Sequence, residues 1–140
     1  MTILAAPPPL ARRLLAETVG TALLVTVVVG SGIAAEQLSP GQTGLQLLEN
    51  STATVLGLAV LILIFGPVSG AHFNPAVSVA DWALGRRAGT GLTRTEVFTY
   101  STAQIGGAVI GAGLANLMYD LPAVQISQHH RATSATLRGR

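Results

Sequence analysis

The residues best suited to chemistry in this chain lie together, in Ser69-Gly70-Ala71-His72-Phe73-Asn74-Pro75-Ala76, directly behind its most apolar run. Pro75 fits the first position of a helix, where its missing N–H would have had no partner anyway. Asn74 before it is a favoured N-cap. Gly85 matches the glycine that closes a helix, and Arg86 and Arg87 follow where cations suit the helix dipole. The expected helix is therefore Pro75 to Leu84, ten residues. Such a helix is about 15 Å long, roughly half the hydrocarbon thickness of a bilayer. The segment before it, Gly66 to His72, holds Gly66, Pro67, Ser69 and Gly70 and is not expected to be regular helix. At membrane depth, irregular backbone is tolerated only where it is buried in protein or lines water. A span, an unwound segment and a half-helix returning to its starting side would set backbone carbonyls, the Asn74 amide and a positive helix end near the midplane. That lining suits a neutral, hydrogen-bonding solute and opposes cations and protons. Asn-Pro-Ala also starts ordinary helices in soluble proteins. The flanking Ser-Gly-Ala-His and the half-bilayer length favour the re-entrant reading.

Other chemistries find little footing. The chain has no cysteine, which excludes disulfides, thiolate metal sites and cysteine nucleophiles. Its serines lack a histidine–carboxylate set, and there is no glycine-rich phosphate loop, so no enzyme is expected. No cofactor is implied. His129-His130 have no metal-ligand partners at useful spacing and read as part of a solvated tail.

The elements that must position these residues read as membrane spans. Of 140 residues, 49% are hydrophobic and 10% charged, against about 25% charged in a soluble domain. The mean hydropathy is +0.55, and the length fits one domain. Apolar runs cover about 14–35, 51–66 and 97–119, each near the length that crosses a bilayer. The first is longer than the apolar core of a signal peptide and reads as a retained helix. The expected organisation is these three spans plus the half-helix over 1–120, then a polar tail over 121–140. All basic residues are arginines, in clusters flanking the apolar runs. That pattern reads as a topology signal rather than a nucleic-acid surface. Arg12 and Arg13 precede the first run, Arg86, Arg87 and Arg94 lie between the second and third, and the segment 36–50 has none. The N-terminus and the 85–96 connection are therefore expected on the cytoplasmic side of the cell membrane. Three spans then place the tail outside, although it carries Arg131, Arg138 and Arg140.

SGAHFNPAV resembles the first signature of the aquaporin and glycerol-facilitator family, the major intrinsic proteins. Ala16-Glu17-Thr18-Val19-Gly20-Thr21 resembles the family's first-helix Glu-x-x-x-Thr, and Ala103-Gln104-Ile105-Gly106-Gly107-Ala108 its third-helix Ala-Gln-x-x-Gly-Ala. The resemblance covers about residues 10 to 120. Gly66-Pro67-Val68-Ser69 departs from the commoner Gly-His-Ile-Ser and is similar to bacterial members associated with arsenic resistance.

The resemblance implies half of an aquaporin-like, all-α membrane fold and a role for each matched residue. Asn74 would offer its amide to the solute, with Pro75 and Ala76 fixing the half-helix end. Gly70, Ala71 and His72 would offer carbonyls, and Glu17 and Gln104 would support the loop from behind. Glu17 lies barely more than a turn beyond Arg13, which also fits an interfacial carboxylate, and His72 also fits a structural histidine. Thr54 falls at the second-helix constriction position, where a residue smaller than an aromatic would admit glycerol or metalloid hydroxides as well as water. Ala103, Gly107, Gly111 and Ala115 recur every four residues, a small-residue stripe that lets a neighbouring helix approach closely.

Family members contain two inverted repeats, and these 140 residues contain the first. The expected function is a channel component for water or small neutral solutes that is incomplete as a single chain. The alternative is a non-conducting, interaction-only membrane protein. The expected partners are the lipid bilayer, small neutral solutes, and a second half-channel chain or another copy of this one, with no nucleic acid. A pore made from copies alone would require insertion in both orientations, which the arginine bias disfavours, so the chain by itself is expected to be inactive.

Overall fold

A computed structural model describes residues 8–124, which fold into four α-helices. They are α1 (Leu10–Leu38), α2 (Thr43–Ser69), α3 (Pro75–Gly85) and α4 (Arg94–Met118). The tail beyond residue 124, with His129, His130 and the last three arginines, lies outside the described residues. α1 is the centre of the bundle and packs against both α2 and α4, while α3 packs against α4.

α1 and α4 meet through the absence of side chains. A Cβ on Gly107 would lie 2.3 Å from the Thr18 carbonyl oxygen, and one on Gly111 would lie 2.2 Å from that of Ala22. The Thr26 hydroxyl crosses the seam to the Gly111 carbonyl at 3.1 Å. Gly107, Gly111 and Ala115 are buried there, and Ala103 is half-buried. Four residues advance about 400° around a helix of 3.6 residues per turn, so a four-residue stripe drifts off the contact face at its end. Gln104, rather than Ala103, continues the buried face.

Several boundaries differ from those read in the sequence. α1 begins at Leu10 and ends at Leu38, longer at both ends than the expected 14–35. α2 begins at Thr43, eight residues before the expected 51, so most of the polar segment 36–50 is helix. Polar side chains staple it to the end of α1. Gln46 Nε2 donates to the Ser39 carbonyl at 2.7 Å, the Ser39 hydroxyl donates to Glu49 at 2.8 Å, and Asn50 Nδ2 donates to the Val28 carbonyl at 2.9 Å. At its other end α2 stays helical through Gly66, Pro67, Val68 and Ser69, contrary to expectation. Pro67 costs one backbone hydrogen bond near the helix end. The Gly70 N–H closes the last turn on the Gly66 carbonyl at 3.0 Å. Unwinding begins at Gly70, with φ +90°.

Gly85 is the last residue of α3 rather than a left-handed cap, and the left-handed glycine of this connection is Gly89, with φ +67°. Gly85 is needed for closeness instead: a Cβ there would lie 2.3 Å from Gly91. α4 starts at Arg94, three residues before the expected 97, because Thr93 and Glu96 form a capping box. α1 and α2 are long and apolar enough to cross a membrane. α4 has 25 residues, but Tyr100, Gln104 and Asn116 dilute its apolar content, and it falls short of that hydropathy.

Candidate functional site

One carboxylate organises the site. Glu17, on α1, is fully buried and accepts four hydrogen bonds. Its Oε1 receives the Ser69 hydroxyl at 2.5 Å and the His72 N–H at 3.1 Å, and its Oε2 receives the Phe73 N–H at 2.7 Å and Gln104 Nε2 at 2.8 Å. A buried charge is tolerable only where such donors replace water. Arg13 is not its partner. The guanidinium of Arg13 bonds Glu96 at 2.6 Å and the Tyr100 hydroxyl at 2.8 Å. Glu96, ahead of the expected span, has its carboxyl held below the usual carboxylate range, first by the Thr93 backbone N–H, against burial, and then by the Thr93 hydroxyl and Arg13.

The loop that Glu17 holds has unusual backbone. Gly70, Ala71 and Phe73 have φ of +90°, +53° and +52°. For the two non-glycine residues this conformation costs energy and persists only where the surroundings impose it. Two of those surroundings are visible. Consecutive N–H groups of His72 and Phe73 are drawn onto Glu17, and the Phe73 ring is locked in place. That ring is buried, meets Phe65 edge-to-face at 6.0 Å, and fills the space where Gly20 has no side chain. A Cβ on Gly20 would lie 2.0 Å from it.

With the N–H groups turned to Glu17, the carbonyls of Gly70, Ala71 and His72 receive no hydrogen bond among the described residues. Asn74 is the N-cap of α3, and its Oδ1 accepts from the Ala76 N–H at 2.8 Å. That bond uses the carbonyl side of the amide. Nδ2 is left as a donor without an acceptor among the described residues, on an exposed side chain. Pro75 occupies the first helical position. The unclaimed carbonyls of Gly70, Ala71 and His72 and the unclaimed Nδ2 of Asn74 therefore fall within five residues.

Ser78, Tyr100 and Ser69 complete the support; Ser69 belongs to the quoted motif without a role assigned to it, and sequence reading did not single out Ser78 or Tyr100. Ser78 is fully buried on α3. Its hydroxyl takes Gln104 Nε2 at 3.0 Å and lies 3.1 Å from His72 Nδ1. Tyr100, fully buried on α4, donates its hydroxyl to the Ser69 carbonyl at 3.0 Å, and its ring lies 5.6 Å from that of His72. The one available signal was that each is a polar residue inside an apolar run. Thr54 stands apart: it is half-buried on α2, fifteen residues before Ser69, which is roughly 22 Å along a helix. Its hydroxyl has no partner among the described residues. No cluster of metal-ligating side chains occurs among the described residues.

The decisive comparison is with protein families, where the model of the major intrinsic proteins matches residues 5–138. The chain belongs to the major intrinsic protein family. It is 48% identical over 126 residues to an aquaglyceroporin, AqpS, of Rhizobium meliloti, covering 90% of this chain and 52% of that one. It is 36% identical over 128 residues to a glycerol uptake facilitator protein of Pseudomonas aeruginosa, covering 91% and 43%. Aquaporin Z of Photorhabdus laumondii is 36% identical over 108 residues, covering 74% and 42%. This major intrinsic protein chain thus spans about half the length of the curated relatives it matches. No solved structure matches it.

Proposed function

We propose that residues 8–124 form one wall of a membrane channel for passive movement of water and small neutral solutes such as glycerol or metalloid hydroxides. The observation that carries this reading is the polar ladder of the loop. The carbonyls of Gly70, Ala71 and His72 and the Nδ2 of Asn74 are unclaimed beside a loop that Glu17 and Gln104 hold rigid. Acceptors followed by a donor can replace the hydration of a neutral molecule in single file, and the positive end of α3 repels cations. Thr54 is the selectivity candidate, at the other end of the path. The ladder is one-sided, so the facing wall comes from a second half.

The relatives named as an aquaglyceroporin and a glycerol uptake facilitator support the solute class. The test is reconstitution in proteoliposomes of this chain alone, and of this chain together with the second half of the Rhizobium meliloti aquaglyceroporin. The expected result is water and glycerol permeability above empty vesicles in the pair and none in the chain alone. A folded pair without flux would leave a non-conducting, interaction-only protein as the better reading.

A further inference from the structure

In the sequence Arg12 and Arg13 carry the same signal, a charge that helps to orient the chain. The structure separates them. Arg12 is exposed, whereas the Arg13 side chain turns inward and is 16% accessible. Arg13 Nη1 donates to Glu96 at 2.6 Å, and its Nε donates to the Tyr100 hydroxyl at 2.8 Å. Tyr100 is fully buried, so this bond sets a positive charge against a group inside the bundle. A phenol has one proton to give. With its oxygen accepting from Arg13, Tyr100 gives that proton to the Ser69 carbonyl at 3.0 Å. Ser69 is the last residue of α2, so its carbonyl is one of those that a helix end leaves open. The backbone turns left-handed at the next residue, Gly70, where the ladder begins. The Tyr100 ring also packs beside that of His72. Arg13, Ser69, Gly70 and His72 all border one hollow of about 640 Å³.

We propose that Arg13 is a positioning residue of the solute path, acting through Tyr100 on the Ser69 carbonyl and so on the Gly70 and His72 carbonyls that follow. The role rests on the channel reading above. A hydroxyl that accepts from a cation is polarised and donates more strongly, so Arg13 tightens the hold on the last peptide of α2. Glu96 fixes the guanidinium from the other side, and the Thr93 capping box fixes Glu96.

The Ser69 carbonyl can be read directly. Carbon-labelled serine carbonyls combined with nitrogen-labelled glycine mark only the Ser31–Gly32 and Ser69–Gly70 peptide bonds. In NMR of the full chain in detergent, the Ser69 signal is expected to move upfield in Arg13→Gln and further in Tyr100→Phe. Arg12→Gln, which removes the same charge, should leave it in place, with the Ser31 signal as the internal control. In the reconstituted pair, Arg13→Gln should lower glycerol flux per folded channel about fivefold, the weight of one hydrogen bond, and Arg12→Gln should stay within about twofold. Adding Arg13→Gln to Tyr100→Phe should lower flux no further, because the two act in one line. A further loss in the double variant, or equal effects of Arg12→Gln and Arg13→Gln, would overturn the relay. If Arg13→Gln does not fold, Tyr100→Phe decides alone, and a parental Ser69 signal and flux would refute the proposal. A moved Ser69 signal with unchanged flux per channel would refute the role in conduction. A parent pair without flux would tell against the channel reading instead, and the Ser69 signal would still decide the relay.

Discussion

Glu17 holds the loop with two oxygens and four donors, so its substitutions should grade by how many donors they strand. Glu17→Ala leaves the His72 and Phe73 N–H groups, the Ser69 hydroxyl and Gln104 Nε2 without their acceptor. At about 1–3 kcal/mol for each buried orphan, partly relieved by water entry, the expected loss is on the order of 3–5 kcal/mol. Glu17→Gln keeps one acceptor oxygen and sets an amide against donors, so it should fall between. Thermal unfolding in mild detergent measures both, and a Glu17→Ala chain as stable as the parent would contradict the hub. Asn74 should behave differently. Its cap is worth about 1 kcal/mol, so Asn74→Ala is expected to lower stability slightly. In the reconstituted pair it should lower flux per folded channel much more, because the unclaimed Nδ2 is lost. Stopped-flow flux normalised to folded protein decides it, and unchanged flux would remove Asn74 from the path.

At the level of elements, the seam between α1 and α4 makes a paired prediction. Gly107→Ala places a Cβ against the Thr18 carbonyl and should cost about 1–3 kcal/mol through forced separation of the helices. Gly106→Ala, one position away with nothing within 4 Å, should be neutral or stabilising by up to about 1 kcal/mol, the ordinary helix preference for alanine. Melting temperatures of the two variants should move in opposite directions or differ clearly. The same seam shows what was legible in the sequence. Glu17 and Gln104 were reached through the family motifs that contain them, and Gly107 and Gly111 stood out by spacing. The break before Asn74 was legible too, although it was placed four residues early: glycine and proline mark the end of a helix without saying whether its last turn still closes. Ser78, Tyr100 and the role of Ser69 were not legible, because their meaning lies in partners far along the chain. Gln104 bonds Glu17 across 87 positions and Ser78 across 26. The helical start of α2 was hidden because polar segments between spans resemble connections until their side chains find the neighbouring helix end.

For the whole molecule, the contacts gather the arginines at one end. Arg13 at the start of α1 bonds Glu96 and Tyr100 near the start of α4, while Arg86 and Arg94 share Trp82. The Ser39–Gln46–Glu49 staple marks the connection between α1 and α2 at the other end of α1. With Arg12, Arg13, Arg86, Arg87 and Arg94 together, that end is expected in the cytoplasm. Single cysteines at Gln42 and Ala88, labelled with a membrane-impermeant reagent in intact cells, should react at position 42 and stay silent at position 88. The reverse pattern would invert the topology.

The four-donor arrangement around Glu17 also sets a sequence in time. Together with the Ser78 and Tyr100 hydroxyls that bond its neighbours, it joins every helix: Glu17 from α1, Ser69 from α2, Ser78 from α3, and Gln104 and Tyr100 from α4. α4 is the last of these to leave the ribosome. Until it docks, Ser78 and the Ser69 carbonyl lack their partners, and the left-handed turn at Ala71 and Phe73 has incomplete support. The loop that lines the path is therefore the last part of the bundle to be set. A nascent chain halted before α4 would keep the Ser69, His72 and Phe73 bonds to Glu17 but leave Ser78 and the rest of α3 without the helix they pack against.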